Sequence, residues 1–281
     1  MGIKVLFIYP NNPGMIIPPP ALALFSALLK SQGHKIEIFD FSFYFIGHGV
    51  DSDGSRMENL NVVPYDLSSK GIELRNLDWK LDIINQLKRF QPDLIAITST
   101  EDMWDLGMLA LDEIKEFKIK NNIPVVAGGV FCTFAPDLCI KYPNVDMICV
   151  GEGEKALINL CKKIEKGEDY SNVTNLWVKS KNGKIIKNRI SEPVDVNSNP
   201  IPDLSLFEEK RFYRPMAGKI WKMAPVESHR GCPYTCTFCN SPIQQTMYAK
   251  ETESSFFRKK KIQKIYEDLK YFKETFGIEY C

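Results

Sequence analysis

Three cysteines stand together in the segment His229-Arg230-Gly231-Cys232-Pro233-Tyr234-Thr235-Cys236-Thr237-Phe238-Cys239-Asn240. Thiolates spaced by three and then two residues on one tight loop can converge on three corners of a cubane iron-sulfur core. A fourth iron is then left without a protein ligand, and such an open site can take an amino and a carboxylate group. Two plainer readings compete. Structural zinc is normally closed by four ligands paired as CxxC units, and no partner pair exists here. The ferredoxin run is spaced two, two and three, although Cys281 is in principle a fourth ligand. Cys132, Cys139, Cys149 and Cys161 are dispersed among apolar neighbours, where a buried free thiol is expected.

A second group of candidates sits at the ends of short apolar runs: Pro10, Thr98-Ser99-Thr100, Gly128-Gly129 and Gly151-Glu152-Gly153-Glu154. Glycines at the carboxyl ends of parallel strands let backbone approach a ligand closely, and an open parallel sheet binds there. Glu152 and Glu154 also fit a plain role at the start of the next helix.

The elements that must position these residues follow one grammar up to about residue 166, a short apolar run, a turn and a helical pattern, as in βα units. Strands are expected at Lys4–Tyr9, Lys35–Phe39, Leu94–Thr98, Val125–Ala127 and Met147–Val150. Helices are expected at Ala21–Ser31, Asp78–Phe90, Met103–Lys120 and Lys155–Lys166, from apolar residues three and four apart. The interval Phe41–Asn76 has no sustained period and reads as a long insertion. Asn182-Gly183 between two apolar runs predicts a hairpin appendage. Pro193, Pro200 and Pro202 suit a linker. A fresh start follows, with a strand expected at Met223–Ser228, the cysteine loop, an amphipathic helix at Lys261–Thr275 and a further strand from Gly277. The division is 1–168, 169–205 and 206–281.

Composition excludes other classes. With 36 basic and 35 acidic residues, net charge +1, no global field favours nucleic acid or an anionic membrane. The basic run Arg258–Lys261 reads as a solvated helix face. No signal-peptide pattern opens the chain, and no apolar stretch approaches the roughly 18 residues of a membrane span, so a cytoplasmic location is expected.

The CxxxCxxC run, with Arg230-Gly231 before it and Phe238 before its last cysteine, resembles the radical S-adenosylmethionine (radical SAM) superfamily. The resemblance implies that Cys232, Cys236 and Cys239 ligate a [4Fe-4S] cluster, that the unique iron chelates S-adenosylmethionine, and that Phe238 lies beside the adenine. Residues 3 to about 166 resemble the flavodoxin-like, Rossmann-like cobalamin-binding domain fused ahead of that core in one subgroup. Ser99, Gly128, Gly129, Gly151 and Gly153 would then line the pocket for the cobalamin nucleotide tail. The DxHxxG motif that brings a histidine to cobalt in cobalamin mutases is absent: residues 10–20 read PNNPGMIIPPP, and His34 and His48 read as surface or core histidines.

The implied fold is a doubly wound α/β domain followed by the start of a (βα) partial TIM barrel. The implied function is reductive cleavage of S-adenosylmethionine, with cobalamin, for methyl transfer to an unactivated carbon of a small-molecule substrate. Flavodoxin or ferredoxin would supply the electron. A cyclase or rearrangement enzyme with a vestigial first domain, and a cobalamin-binding protein without turnover, are the alternatives. Such barrels have about six βα units in this family. The sequence after Lys222 provides roughly one, so an incomplete barrel without turnover of its own is expected.

Overall fold

The computed structural model describes residues 2–12, 17–44, 46, 57–75, 77–180 and 182–281. Its centre is a seven-stranded sheet in the order β2-β1-β3-β4-β5-β6-β7. The strands are β1 (Lys4–Tyr9), β2 (Lys35–Asp40), β3 (Leu94–Thr98), β4 (Val125–Gly128), β5 (Met147–Cys149), β6 (Leu176–Lys179) and β7 (Ile185–Lys187). The first five are parallel, in doubly wound order, and β6 and β7 join antiparallel. Each expected strand of the first domain forms, within a residue of its expected ends.

These strands read as continuous apolar runs because both faces are covered. Along β1, Val5 and Phe7 face one core with Leu94, Ala96, Val126 and Met147. Leu6 and Ile8 face the other with Ile95, Ile97, Val125 and Ala127. Each of these β1 side chains is at most 1% exposed, and each such burial contributes about 1.5–3 kcal/mol. On the first face lie α1 (Pro20–Ser31) and, later in the chain, α7 (Glu154–Lys166). On the second lie α2 (Trp79–Phe90) and α3 (Trp104–Glu113).

Several expectations change. The helix expected over Met103–Lys120 turns at Ile114, whose ψ is 3° while its side chain stays fully buried, and resumes as α4 (Lys115–Lys120). The hairpin of β6 and β7 is no appendage: it continues the main sheet, with Leu176 and Val178 buried against the edge that β5 would otherwise leave open. The proline-rich segment is packed down as a strap, with Val194, Val196, Asn199, Leu204 and Phe207 all buried. Within the long insertion, a 3-10 turn at Phe41–Phe43 and a bridge between Tyr44 and Arg75 are seen. His48 and part of the loop 10–20 lie outside the described residues.

The last third adds two hairpins and two helices. β8 (Tyr213–Met216) pairs with β9 (Lys219–Lys222), and β10 (His229–Arg230) with β11 (Arg258–Lys259). The strand expected at Met223–Ser228 shrinks to one parallel bridge from Met223 to Tyr280, because Pro225 has no N–H to continue a ladder. Helix α8 (Ser241–Thr252) follows the cysteine loop and α9 (Ile262–Phe276) ends the pattern, its Phe272 fully in the core of the first domain. Short helices α5 (Val130–Phe134) and α6 (Pro136–Cys139) follow β4. Among the described residues no helix is long and apolar enough to cross a membrane.

Candidate functional site

One cavity of about 620 Å³ opens at the carboxyl ends of β3, β4 and β5, where a doubly wound sheet takes its ligands. Gly128, Gly129, Gly151 and Gly153 line it from the sheet side; Arg230, Gly231, Cys232 and Tyr248 line it from the last third of the chain. It runs deep, reaching Phe7, Ala96 and Val126 on the sheet face beneath α1. Two sets of residues that the sequence offered separately therefore meet in one space.

Gly129 and Gly151, both with positive φ, are required by geometry. Gly129 has φ 99° and ψ −172°, and a Cβ there would stand 2.7 Å from the Ser99 carbonyl oxygen. Thr133, which no sequence signal marked, ties two of the loops together. Its hydroxyl donates to the Gly129 carbonyl at 3.0 Å and accepts the Gly151 N–H at 3.1 Å. Ser99 does not line the cavity; it lies behind Gly129, buried, and its hydroxyl has no hydrogen-bond partner among the described residues. Asn175, fully buried with φ 68°, donates to the Val150 carbonyl and accepts the Ser191 N–H, bracing the Gly151 loop against the strap.

Glu154 stands in the first turn of α7, as the plain reading expects, but neither it nor Glu152 spends its carboxylate on that helix's N–H groups. They face the arginines of β10 and β11 instead. Arg230 grips Glu227 with Nε and Nη2 at 2.7 and 3.0 Å and also pairs with Glu154 and Glu152. Arg258 forks onto both oxygens of Glu152 and donates to the Val194 carbonyl at 2.6 Å. Burial alone would raise the Glu152 carboxyl, but the Arg258 hydrogen bonds and the Arg230 charge outweigh it and hold the group below its ordinary range. The solvated helix face expected at Arg258–Lys261 is thus a strand in an ion network, and Lys260 is itself buried, paired with Asp268 at 2.6 Å.

The cysteine loop is anchored at its root. Gly231 has φ 83°, and a Cβ there would meet the Phe256 carbonyl oxygen at 2.4 Å. Gln245 donates to the Cys232 carbonyl, and the Ser241 N–H points at the Cys239 sulfur at 3.4 Å. Cys232 is half-buried on the cavity wall, whereas Cys236 and Cys239 are exposed. Among the described residues no three His, Cys, Asp or Glu side chains stand together as a metal-binding group. Phe238 is 92% exposed and outside the cavity. Cys132, Cys139, Cys149 and Cys161 are buried free thiols, as expected, and burial pushes the Cys149 thiol up to about 12. His34 is a core histidine, its Nδ1 accepting the Ile3 N–H at 3.1 Å.

Residues 59–160 match the B12-binding domain. An uncharacterized methyltransferase of Pyrococcus horikoshii is 30% identical over 202 residues, which are 70% of this chain and 40% of that protein. The anaerobic magnesium-protoporphyrin IX monomethyl ester cyclase of Rubrivivax gelatinosus is 26% identical over 249 residues, 85% of this chain and 38% of its own length. The chain thus spans about two-fifths of the length of these relatives. The radical S-adenosylmethionine methyltransferase TsrM of Kitasatospora setae, solved with cobalamin and a [4Fe-4S] cluster bound, superposes with a TM-score of 0.63 at 18% identity, over 99% of this chain and 47% of that one. The chain thus contains a B12-binding domain over residues 59–160, and its fold is similar to that of a cobalamin- and cluster-binding radical S-adenosylmethionine methyltransferase.

Proposed function

We propose that the chain holds cobalamin and a [4Fe-4S] cluster on facing walls of the one cavity, for S-adenosylmethionine-dependent methyl transfer to an unactivated carbon of a small molecule. The observation that carries this reading is the shared cavity, which Gly128, Gly129, Gly151 and Gly153 line together with Gly231 and Cys232. The residues fit the two groups. The apolar slot beneath α1 and the side-chain-free glycine rims suit a flat heteroaromatic nucleotide tail. Cys232, Cys236 and Cys239, three thiols spaced by three and then two residues on one loop, suit a cluster with one open iron.

When bound, the cluster supplies the electron that splits S-adenosylmethionine and the corrinoid carries the methyl group. The chain's own residues bind and orient. Cys232, Cys236 and Cys239 supply the thiolates, and Phe238, exposed beside them, supplies an aromatic face for an adenine. Tyr248 and Phe256, stacked at 5.0 Å, both line the cavity between the two loops. A one-electron donor of the flavodoxin or ferredoxin type would dock at the exposed cysteine loop.

Anaerobic reconstitution with iron, sulfide and hydroxocobalamin tests this. About four iron, four sulfide and one corrinoid per chain are expected, retained through desalting. One zinc and no iron would overturn the cluster, and no retained corrinoid would overturn the cobalamin assignment.

A further inference from the structure

Glu152 is a single carboxylate on which three segments of the chain converge. Its oxygens accept from the Val194 N–H of the strap at 2.8 Å, from Nη1 of Arg230 on β10 at 3.3 Å, and from both Nη atoms of Arg258 on β11. Its own N–H donates to the Tyr248 hydroxyl of α8 at 2.8 Å. The side chain is 11% exposed, so these contacts are little screened by water. Gly151 and Gly153, on either side of it, line the cavity, while Arg230 stands two residues before Cys232. A displacement of the glycine loop therefore reaches the cysteine loop through one side chain and one arginine.

We propose that Glu152 is a positioning residue that ties the root of the cysteine loop to the corrinoid-side wall of the cavity, a role that rests on the cofactor reading above. A carboxylate serving only the first turn of α7 would bond that helix's free N–H groups, whereas the Glu152 oxygens are taken by Val194, Arg230 and Arg258. The charge is spent across the cavity mouth. Arg258 alone is not the hinge, because its backbone is already fixed by pairing with Arg230. The fork from Arg258 to Glu152 joins that hairpin to the glycine loop of the sheet, together with Arg230 on Glu152 and Glu154.

The test uses the apoprotein first. Cys232 is half-buried and Cys281 exposed, so the ratio of their alkylation rates with iodoacetamide, read by mass spectrometry, reports opening of the cysteine loop. Glu152→Gln, which keeps the shape and loses the charge, should raise the Cys232 rate relative to Cys281 by about tenfold, in line with the loss of hydrogen bonds to charged groups. Glu152→Asp should restore part of the protection. Amide exchange in β1 and β3 should not change. Should the Gln variant loosen that core, Arg258→Lys, which keeps the charge and loses the fork, takes its place. An unchanged Cys232 rate in both variants overturns the inference.

In the reconstituted protein, adding hydroxocobalamin should shift the cluster's reduction potential in the wild type and not in Glu152→Gln. An equal shift in both also overturns it. If the wild type takes up no corrinoid while Glu152→Gln still frees Cys232, the positioning role stands and the corrinoid reading falls.

Discussion

Gly129→Ala is the sharpest perturbation of the glycine-lined wall of the cavity. The native backbone at φ 99° and ψ −172° lies in a region essentially reserved for glycine, where any other residue stores about 1–3 kcal/mol. The added methyl would also stand 2.7 Å from the Ser99 carbonyl oxygen and 2.9 Å from Thr98 Oγ1. One of those neighbours is backbone of β3's end, which cannot swing aside as a flexible side chain can, so overpacking of about 1–3 kcal/mol is added. The total, about 2–6 kcal/mol, should lower the melting temperature by roughly 4–24 °C. Relief is available only by moving the Gly128-Gly129 loop toward the cavity that it lines, so hydroxocobalamin affinity should fall at least about tenfold. Gly167→Ala is the matched control. Gly167 has φ 65° with nothing within 4 Å of a built Cβ, so it carries only the left-handed penalty of about 1–2 kcal/mol and leaves binding intact. Thermal melts and absorbance titration of both variants decide the matter. If Gly129→Ala melts like Gly167→Ala and binds corrinoid like the parent, the loop is not pressed against Ser99 and the reasoning fails.

Three further outcomes follow from the same geometry. Alanine at Cys232, Cys236 or Cys239 should each abolish the brown chromophore after reconstitution, while Cys281→Ala leaves it; loss of the cluster in the last variant would refute the three-ligand assignment. Arg211 is fully buried, paired with Asp40 at 3.3 Å and donating to the Ile17 carbonyl at 2.8 Å. Arg211→Met strands the Asp40 charge and should cost about 3 kcal/mol or more, with Asp40→Asn in the same chain recovering part of it on calorimetry. Because Glu152 titrates below its ordinary 4.5 in the folded chain, its contribution to stability is full above that value and is lost as pH falls through the lowered one. Melting temperature followed from pH 7 to 3 should therefore drop less steeply in Glu152→Gln than in the parent, and parallel curves would argue against the ion network.

How much of this was legible in the sequence depends on how far apart the interacting residues lie. The strands β1 to β5 were readable because each is a local apolar run between turn residues, and the sheet order adds no exception to the doubly wound pattern. The cysteine spacing is equally local. The network at Glu152 was not readable, since its partners Arg230 and Arg258 stand 78 and 106 residues away, and a charge run has no sequence mark that separates a solvated face from a buried pair. Helix α8 escaped because its apolar residues are spread around the helix, with Tyr248 alone buried. The β8–β9 turn escaped because Ala217, with φ 51°, holds a position where Asn or Asp is the usual signal.

The two glycine loops show where local and distant information meet. Gly151 and Gly231 were each visible as turn or loop residues, and both adopt positive φ, 82° and 83°. What the sequence could not disclose is why no side chain fits. A Cβ on Gly151 would stand 2.6 Å from the Tyr248 hydroxyl, and one on Gly231 would stand 2.4 Å from the Phe256 carbonyl. Tyr248 and Phe256 are themselves stacked, with planes 16° apart. One aromatic pair thus presses on the Gly151 loop with the Tyr248 hydroxyl and on the root of the cysteine loop with the backbone and ring edge of Phe256. Close approach at both glycines is a single packing requirement, so a residue added at either should displace the same pair and disturb both walls of the cavity together.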